Sequence, residues 1–174
     1  MITSPYLEQF YSHHQFQGLF NNCGPFCATM AMNILKQKQI MGADLGRTME
    51  RIKWKNKLPV IRRIKNWATF PWGIQDILKE EKIPVRWMLF QNTKKLLQML
   101  PQENILIVLI GNYFPAWAHY KILGAFDPNC GFGFIDSAFR DGELHWDTAM
   151  YFKKYWGHYG NQVICVFPSE TSTC

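Results

Sequence analysis

Six consecutive apolar residues, Ile105-Leu106-Ile107-Val108-Leu109-Ile110, constrain this chain of 174 residues more than any other feature. The run is far too short to cross a bilayer, which takes about twenty apolar residues. Its β-branched and leucine content suits a central strand of a sheet. A hydrophobic share of 48% with 18% charged residues excludes a mostly disordered chain. At roughly 100–200 residues per domain the length fits one domain, with a core over about residues 15–168. A chain of this size needs neither disulfides nor a metal to fold.

Around that run the pattern reads as helices first and strands later. Cys27, Met30, Ala31, Ile34 and Leu35 fall at helical spacing and predict a helix over about 24–38, with Pro25 in its first turn. Residues 43–66 read as one or two short basic helices, with Leu45, Met49, Ile52, Ile61 and Ile64 inward and Pro59 interrupting. A helix is expected over 72–82, a strand over 84–90, and a helix over 93–99 capped by Asn92 or Thr93. Further strands are expected over 118–126, 132–136 and 162–167, with a turn at Asp127-Pro128-Asn129-Cys130-Gly131 and a loose tail from Ser169 to Cys174. Helices followed by a mostly antiparallel sheet define the α+β class.

Charge is unevenly spread. Residues 1–100 carry 15 Lys and Arg against 6 Asp and Glu, whereas residues 101–174 carry 4 against 7. The densest basic stretch runs from Arg47 to Lys65. It marks either an anionic partner (nucleic acid, a membrane surface or an acidic peptide) or a solvated face. No nucleic-acid motif accompanies it. The start Met1-Ile2-Thr3-Ser4-Pro5 lacks the basic-then-apolar pattern of a secretory signal. Five cysteines with no repeated spacing fit a reducing, cytoplasmic compartment.

Cys23 stands directly before a predicted helix, between Asn22 and Gly24. A thiol there meets the positive end of the helix dipole and free backbone N–H groups, both of which favour the reactive thiolate. Gly24 allows a substrate carbonyl to approach the backbone closely. Cys27, one turn later, reads as core. A nucleophile needs a base, and His119 lies near the start of a predicted strand, able to face a cleft. His13 and His14 read as surface, and His145 and His158 lie in loop-like sequence without a role. The base needs an orienting acceptor. Asp136, 17 residues after His119, ends the strand that hairpins back. Residues facing each other across two strands come within about 5 Å. Asp127 competes, but Asp-Pro at a turn is explained by turn chemistry. An oxyanion hole could use the Cys23 backbone N–H and a side-chain amide from Gln17, Gln15 or Gln9.

Gln17, then Asn22-Cys23-Gly24-Pro25, then Met30 or Met32 on the helix, resembles papain-like cysteine peptidases. Among them it is most similar to the bacteriocin-processing peptidases, domains of dedicated ABC transporters that cut leader peptides after a double glycine. That family has a Gln six residues before a Cys-Gly helix start, a His opening an apolar strand, and an Asp, usually before Pro, ending the next strand. The matching residues are Gln17, Cys23, His119 in Ala118-His119-Tyr120-Lys121-Ile122-Leu123-Gly124, and Asp136, which Ser137 follows in place of Pro. Trp72 to Leu78 with Pro84-Val85, and Pro101 to Ile110, resemble the family's second helix and its following strands, so the likeness spans roughly residues 15–140. It implies a papain-like fold, a Cys23–His119–Asp136 triad with Gln17 as oxyanion donor, a peptide or protein substrate and no cofactor. No transporter domain follows in this sequence, so an export role is not carried over.

Two other outcomes share this framework: a catalytically silent binding module, and an acyl or peptidyl transferase in which an amine or thiol replaces water. A metal site on Cys23, Cys27 and a histidine is disfavoured, because tetrahedral zinc sites pair cysteines at shorter loop spacing.

Overall fold

A computed structural model describes residues 1–19 and 21–168; the expectation of a loose tail falls outside that range. The apolar run is the core of β7 (Ile105–Tyr113). Ile105, Ile107 and Leu109 point to one face of the sheet, and Leu106, Val108 and Ile110 to the other. Helices cover both faces, which is why the run has no polar alternation. β7 pairs with β8 (Ala116–Asp127) on one side and β11 (Val163–Val166) on the other. The full order is β10-β9-β8-β7-β11-β6, all antiparallel, with β6 spanning Val85–Met88, β9 Gly131–Ile135 and β10 Leu144–Asp147. A short β1 (Ile2–Thr3) adds to β8 opposite Ala125 and Phe126.

One face carries α1 (Leu7–His13), α2 (Cys23–Lys36), α3 (Gly42–Met49) and α4 (Pro71–Glu80). α2 is the central helix: every residue from Cys23 to Asn33 is buried. It ends where Gln37 turns left-handed at φ 50°. The other face carries α5 (Thr93–Met99) and α6 (Ala149–His158). Asn92 caps α5 by accepting from the Lys95 N–H at 2.9 Å. The α+β class and the helices over α2, α4 and α5 follow the sequence pattern, the helices to within two residues at each end, and the central strand begins at Ile105 as expected and runs three residues past Ile110. None of the described helices is long and apolar enough to cross a membrane.

The sequence reading departs from the structure between residues 43 and 66. Only α3 is helical, with Leu45 and Met49 inward as expected. Two hairpins follow: β2 (Lys53–Lys55) with β3 (Leu58–Val60), and β4 (Arg63–Ile64) with β5 (Ala68–Thr69). Ile52, Ile61 and Ile64, expected inward, are exposed. The reason is turn chemistry. Asn56 and Lys57 both take positive φ, the conformation of a two-residue hairpin turn, and Asn66 does the same in the second hairpin. Asparagine tolerates that region better than other non-glycine residues. The basic stretch is also less free than its composition suggests. Arg47 pairs with Asp44, Lys53 with Asp76 and Glu80, Arg62 with Asp76 and Glu80, and Arg63 with Glu50. Strand β10 and helix α6, which hold His145 and His158, stand where the sequence reads as loop-like. Their buried Phe152 and Trp156 are one helical turn apart, but the surrounding tyrosines mask the stripe.

The hairpin arm seats on α4 through Gly73, where an added Cβ would lie 2.2 Å from the Arg62 carbonyl oxygen. Gly73→Ala is expected to destabilise the protein by roughly 1–3 kcal/mol, as for other over-packed sites. Chemical denaturation would detect this, and an unchanged midpoint would contradict the seating described.

Candidate active site

Helix α2 begins at Cys23, so the thiol lies within its first turn. Its predecessor Asn22 does not cap the helix with its side chain. Instead the Asn22 Oδ1 accepts from the buried Arg63 guanidinium. The helix start therefore keeps N–H groups for another acceptor, and the Gly24 N–H bonds the Cys23 sulfur. Pro25, also in this turn, has no N–H to leave unsatisfied.

The β8–β9 ladder brings the other two residues together. It pairs Ile122 with Ile135 and Leu123 with Phe134, then slips so that Ala125 meets Gly133. Gly124 is the extra residue of this bulge. The register beyond Ile135 places Asp136 beside Lys121 and diagonal to His119, all on one face. Without the bulge Asp136 would fall opposite Ile122, on the other face. The His119 Nε2 lies 2.6 Å from Asp136 Oδ1. That carboxylate also accepts from the Ala138 N–H at 2.9 Å, and Lys121 Nζ stands 3.5 Å from its second oxygen. With Nε2 taken, Nδ1 is the ring nitrogen left for the hydrogen bond between His119 and Cys23.

The electrostatics of the three groups reinforce one another. Burial alone pushes the Cys23 thiol up. The hydrogen bond and charge of His119, with the N–H groups of Tyr120 and Gly24, more than offset it and hold the thiol below its ordinary 9.0. Burial works against a charged His119, but bonds and charges from Asp136 and Cys23 raise it to about 9. Asp136 is buried, yet His119, the Ala138 N–H and Lys121 keep it below the usual carboxylate range. Cys27 goes the other way: burial first, then the charges of Cys23 and Asp136, push its thiol well up. The two thiols, one helical turn apart, are thus shifted in opposite directions, Cys23 down and Cys27 up.

The three candidate glutamines differ in what they bond. Gln15 spends both ends bridging to the Ile40 carbonyl and the Gly42 N–H, each at 2.8 Å, and Gln9 is exposed on α1. Gln17 is tied to the loop after Asp136: its N–H donates to the Ser137 carbonyl at 2.8 Å, and its Oε1 accepts from Ser137 Oγ at 2.7 Å. Ser137, standing where the resembling family usually has Pro, thus turns the NH₂ end of Gln17 away from itself. Asp127 makes the expected turn, accepting from Asn129 and Cys130 N–H groups.

Sequence reasoning missed three contributors. Arg63 is 3% exposed, and besides Asn22 it bonds Thr69 Oγ1 at 3.3 Å and feels the charge of Cys23. Only its place in a basic run was visible. The Tyr120 N–H bonds the sulfur because β9 stops pairing before reaching Tyr120, which no residue type signals. His14 is half-buried rather than on the surface, with Nε2 3.3 Å from the Asp136 carbonyl. His145 lies on β10 paired with Asp141, and His158 ends α6 with Nδ1 near the Gly111 carbonyl.

Solved structures are similar to this fold, two of them as follows. One is a crystal structure described as a C39-like peptidase from Bacillus anthracis, with TM-score 0.70 and 9% identity over 98% of this chain and 100% of that one. The fold is that of the C39-like peptidases. The other is the peptidase domain of Streptococcus ComA, a bi-functional ABC transporter involved in a quorum sensing pathway. It has TM-score 0.59 and 14% identity over 89% of this chain and 97% of that one. No protein-family model and no curated protein matches the chain. The C39-like fold is the one implied by the papain-like resemblance. At such low identity it is carried by the element order and the sheet, not by the sequence as a whole.

The pH dependence of Cys23 follows from the shifts. Iodoacetamide should alkylate Cys23 through an acid limb lying below pH 9, since the thiol is held under its ordinary 9.0. His119→Ala leaves burial as the main influence and should move that limb to higher pH. A rate–pH profile read by mass spectrometry checks both, and a limb unmoved by His119→Ala would contradict the pairing.

Proposed function

We propose that this protein is a cysteine peptidase that hydrolyses peptide or amide bonds through Cys23, His119 and Asp136, with Gln17 assisting. The observation that supports the reading is the 2.6 Å contact of His119 Nε2 with Asp136 Oδ1, together with an imidazole pushed up and a Cys23 thiol held down by each other's influence. The C39-like fold supports it.

The steps follow from the groups present. The Cys23 thiolate forms a bond to the substrate carbonyl carbon, and the carbonyl π pair moves onto oxygen. Gln17 Nε2 and the Cys23 backbone N–H donate to that oxyanion. As the oxyanion collapses, the C–N bond breaks and His119 gives its Nδ1 proton to the leaving amine. Water then loses a proton to His119 and attacks the thioester, and the thiolate departs with the carboxylic acid released. Asp136 stays ionised throughout, holding the ring and balancing its charge.

Cys23→Ala should abolish cleavage of a peptide library followed by mass spectrometry, whereas Cys27→Ala should retain it. Gln17→Ala should lower kcat by about 10²–10³ with a smaller change in KM, the usual loss for one oxyanion donor. Full activity in Cys23→Ala would remove the nucleophile from Cys23.

A further inference from the structure

A cavity of about 570 Å³ opens onto the Cys23 sulfur. Its walls come from four parts of the chain: Trp67 at the tip of the β4–β5 hairpin, Phe70 just before α4, Trp117 on β8, and Tyr159 after α6. These rings are held in place. The Tyr159 hydroxyl donates to the Trp117 carbonyl at 3.2 Å, and the Tyr120 hydroxyl on the cavity floor donates to the Thr69 carbonyl at 3.0 Å. Gly111 lets Tyr159 lie flush on β7, since an added Cβ would stand 2.5 Å from its ring. Trp67, by contrast, is 67% exposed, an indole with an open face beside the nucleophile.

Size and chemistry narrow the occupant. A dry cavity of about 150 Å³ takes one benzene ring. This one has room for more than a single ring. No Lys, Arg, Asp or Glu lines it, so a charged side chain would lose its hydration with nothing to pair with. Bulky apolar groups gain from burial against the rings. Asn21, Thr69 and Gln162 interrupt the aromatic wall. Gln162 is spent on the Trp87 indole N–H and the Tyr159 carbonyl, and Asn21 Nδ2 on the Asn66 carbonyl. Asn21 Oδ1 can still accept and the Thr69 hydroxyl can still donate, which suits the N–H and C=O groups of a peptide and not a plain alkyl chain.

We propose that Cys23 acts on a peptide carrying two adjacent bulky, uncharged side chains, at least one aromatic, seated in this cavity beside the scissile bond. The proposal rests on the peptidase reading and names its substrate class. Chain segments with paired glycines leave the cavity empty, and segments with paired lysines bring charge into it.

The test measures covalent labelling of Cys23 in the intact protein by mass spectrometry. The probes are N-acetylated dipeptidyl chloromethyl ketones ending in Phe-Phe, Gly-Gly or Lys-Lys, together with a long-chain alkyl chloromethyl ketone. Each rate is divided by the iodoacetamide rate of the same sample, which needs no cavity. The Phe-Phe probe should outpace Gly-Gly by on the order of tenfold or more, with Lys-Lys slowest, in line with the discrimination an apolar pocket achieves. Trp67→Ala should shrink the Phe-Phe to Gly-Gly ratio several-fold. Normal iodoacetamide labelling with Phe-Phe no faster than Gly-Gly overturns the substrate class and leaves the nucleophile standing. An alkyl probe faster than Phe-Phe overturns it in favour of an acyl substrate. Labelling confined to the exposed Cys130, with Cys23 inert to iodoacetamide, overturns the peptidase reading and this proposal with it.

Discussion

One extra residue in β8 governs the geometry at the thiol. Gly124 bulges from the β8–β9 ladder and shifts its register by one, and in an antiparallel pair a shift of one exchanges the two faces. Asp136 comes to share a face with Lys121 and His119 because of it. The ladder then stops at Ile122 and Ile135, leaving the Tyr120 N–H to the Cys23 sulfur. A carboxylate and an imidazole meet because a strand pair is out of step and ends early.

Burial then makes those contacts strong. Desolvation opposes the charged form of each of the three groups, and the bonds and charges of its neighbours favour it. Removing one member leaves the others facing a medium that disfavours their charge. Cys27 illustrates the alternative: one turn along the same helix and fully buried, its thiol is pushed well up by that burial and by the charges of Cys23 and Asp136. The buried Arg63 belongs to this balance too. It joins Asn22, beside the nucleophile, to Glu50 and Thr69, and so couples the hairpin arm to the start of α2. The same arm forms one wall of the cavity at Cys23.

Much of this was legible in the residues. Period-3.6 patterning marked α2, and a run without polar alternation marked β7, because burial leaves a direct trace in composition. The spacing of Cys23, His119 and Asp136 was readable because a helix start and a hairpin are local objects. The two hairpins after α3 were not, since isoleucines at near-helical spacing outweighed the asparagines that turn the chain. Helix α6 was hidden by tyrosines, whose rings serve equally well in loops. His14 read as surface because nothing within its own segment reveals Asp136, 122 residues away.

By itself the sequence determined the class of fold, the helix that starts at a cysteine, and which histidine lies on, and which aspartate directly follows, strands that pair. Those follow from local propensity and periodicity, which act over a few residues. Tertiary structure alone decided that Asp136 lies diagonal to His119, that Gln15 bridges Ile40 and Gly42 while Gln17 bonds Ser137 through its oxygen, and that Arg63 reaches Asn22. It alone gathered four aromatic rings around one sulfur. Each of these depends on register and packing between segments far apart in the chain, where the outcome is set by which groups remain unpaired once the layers close.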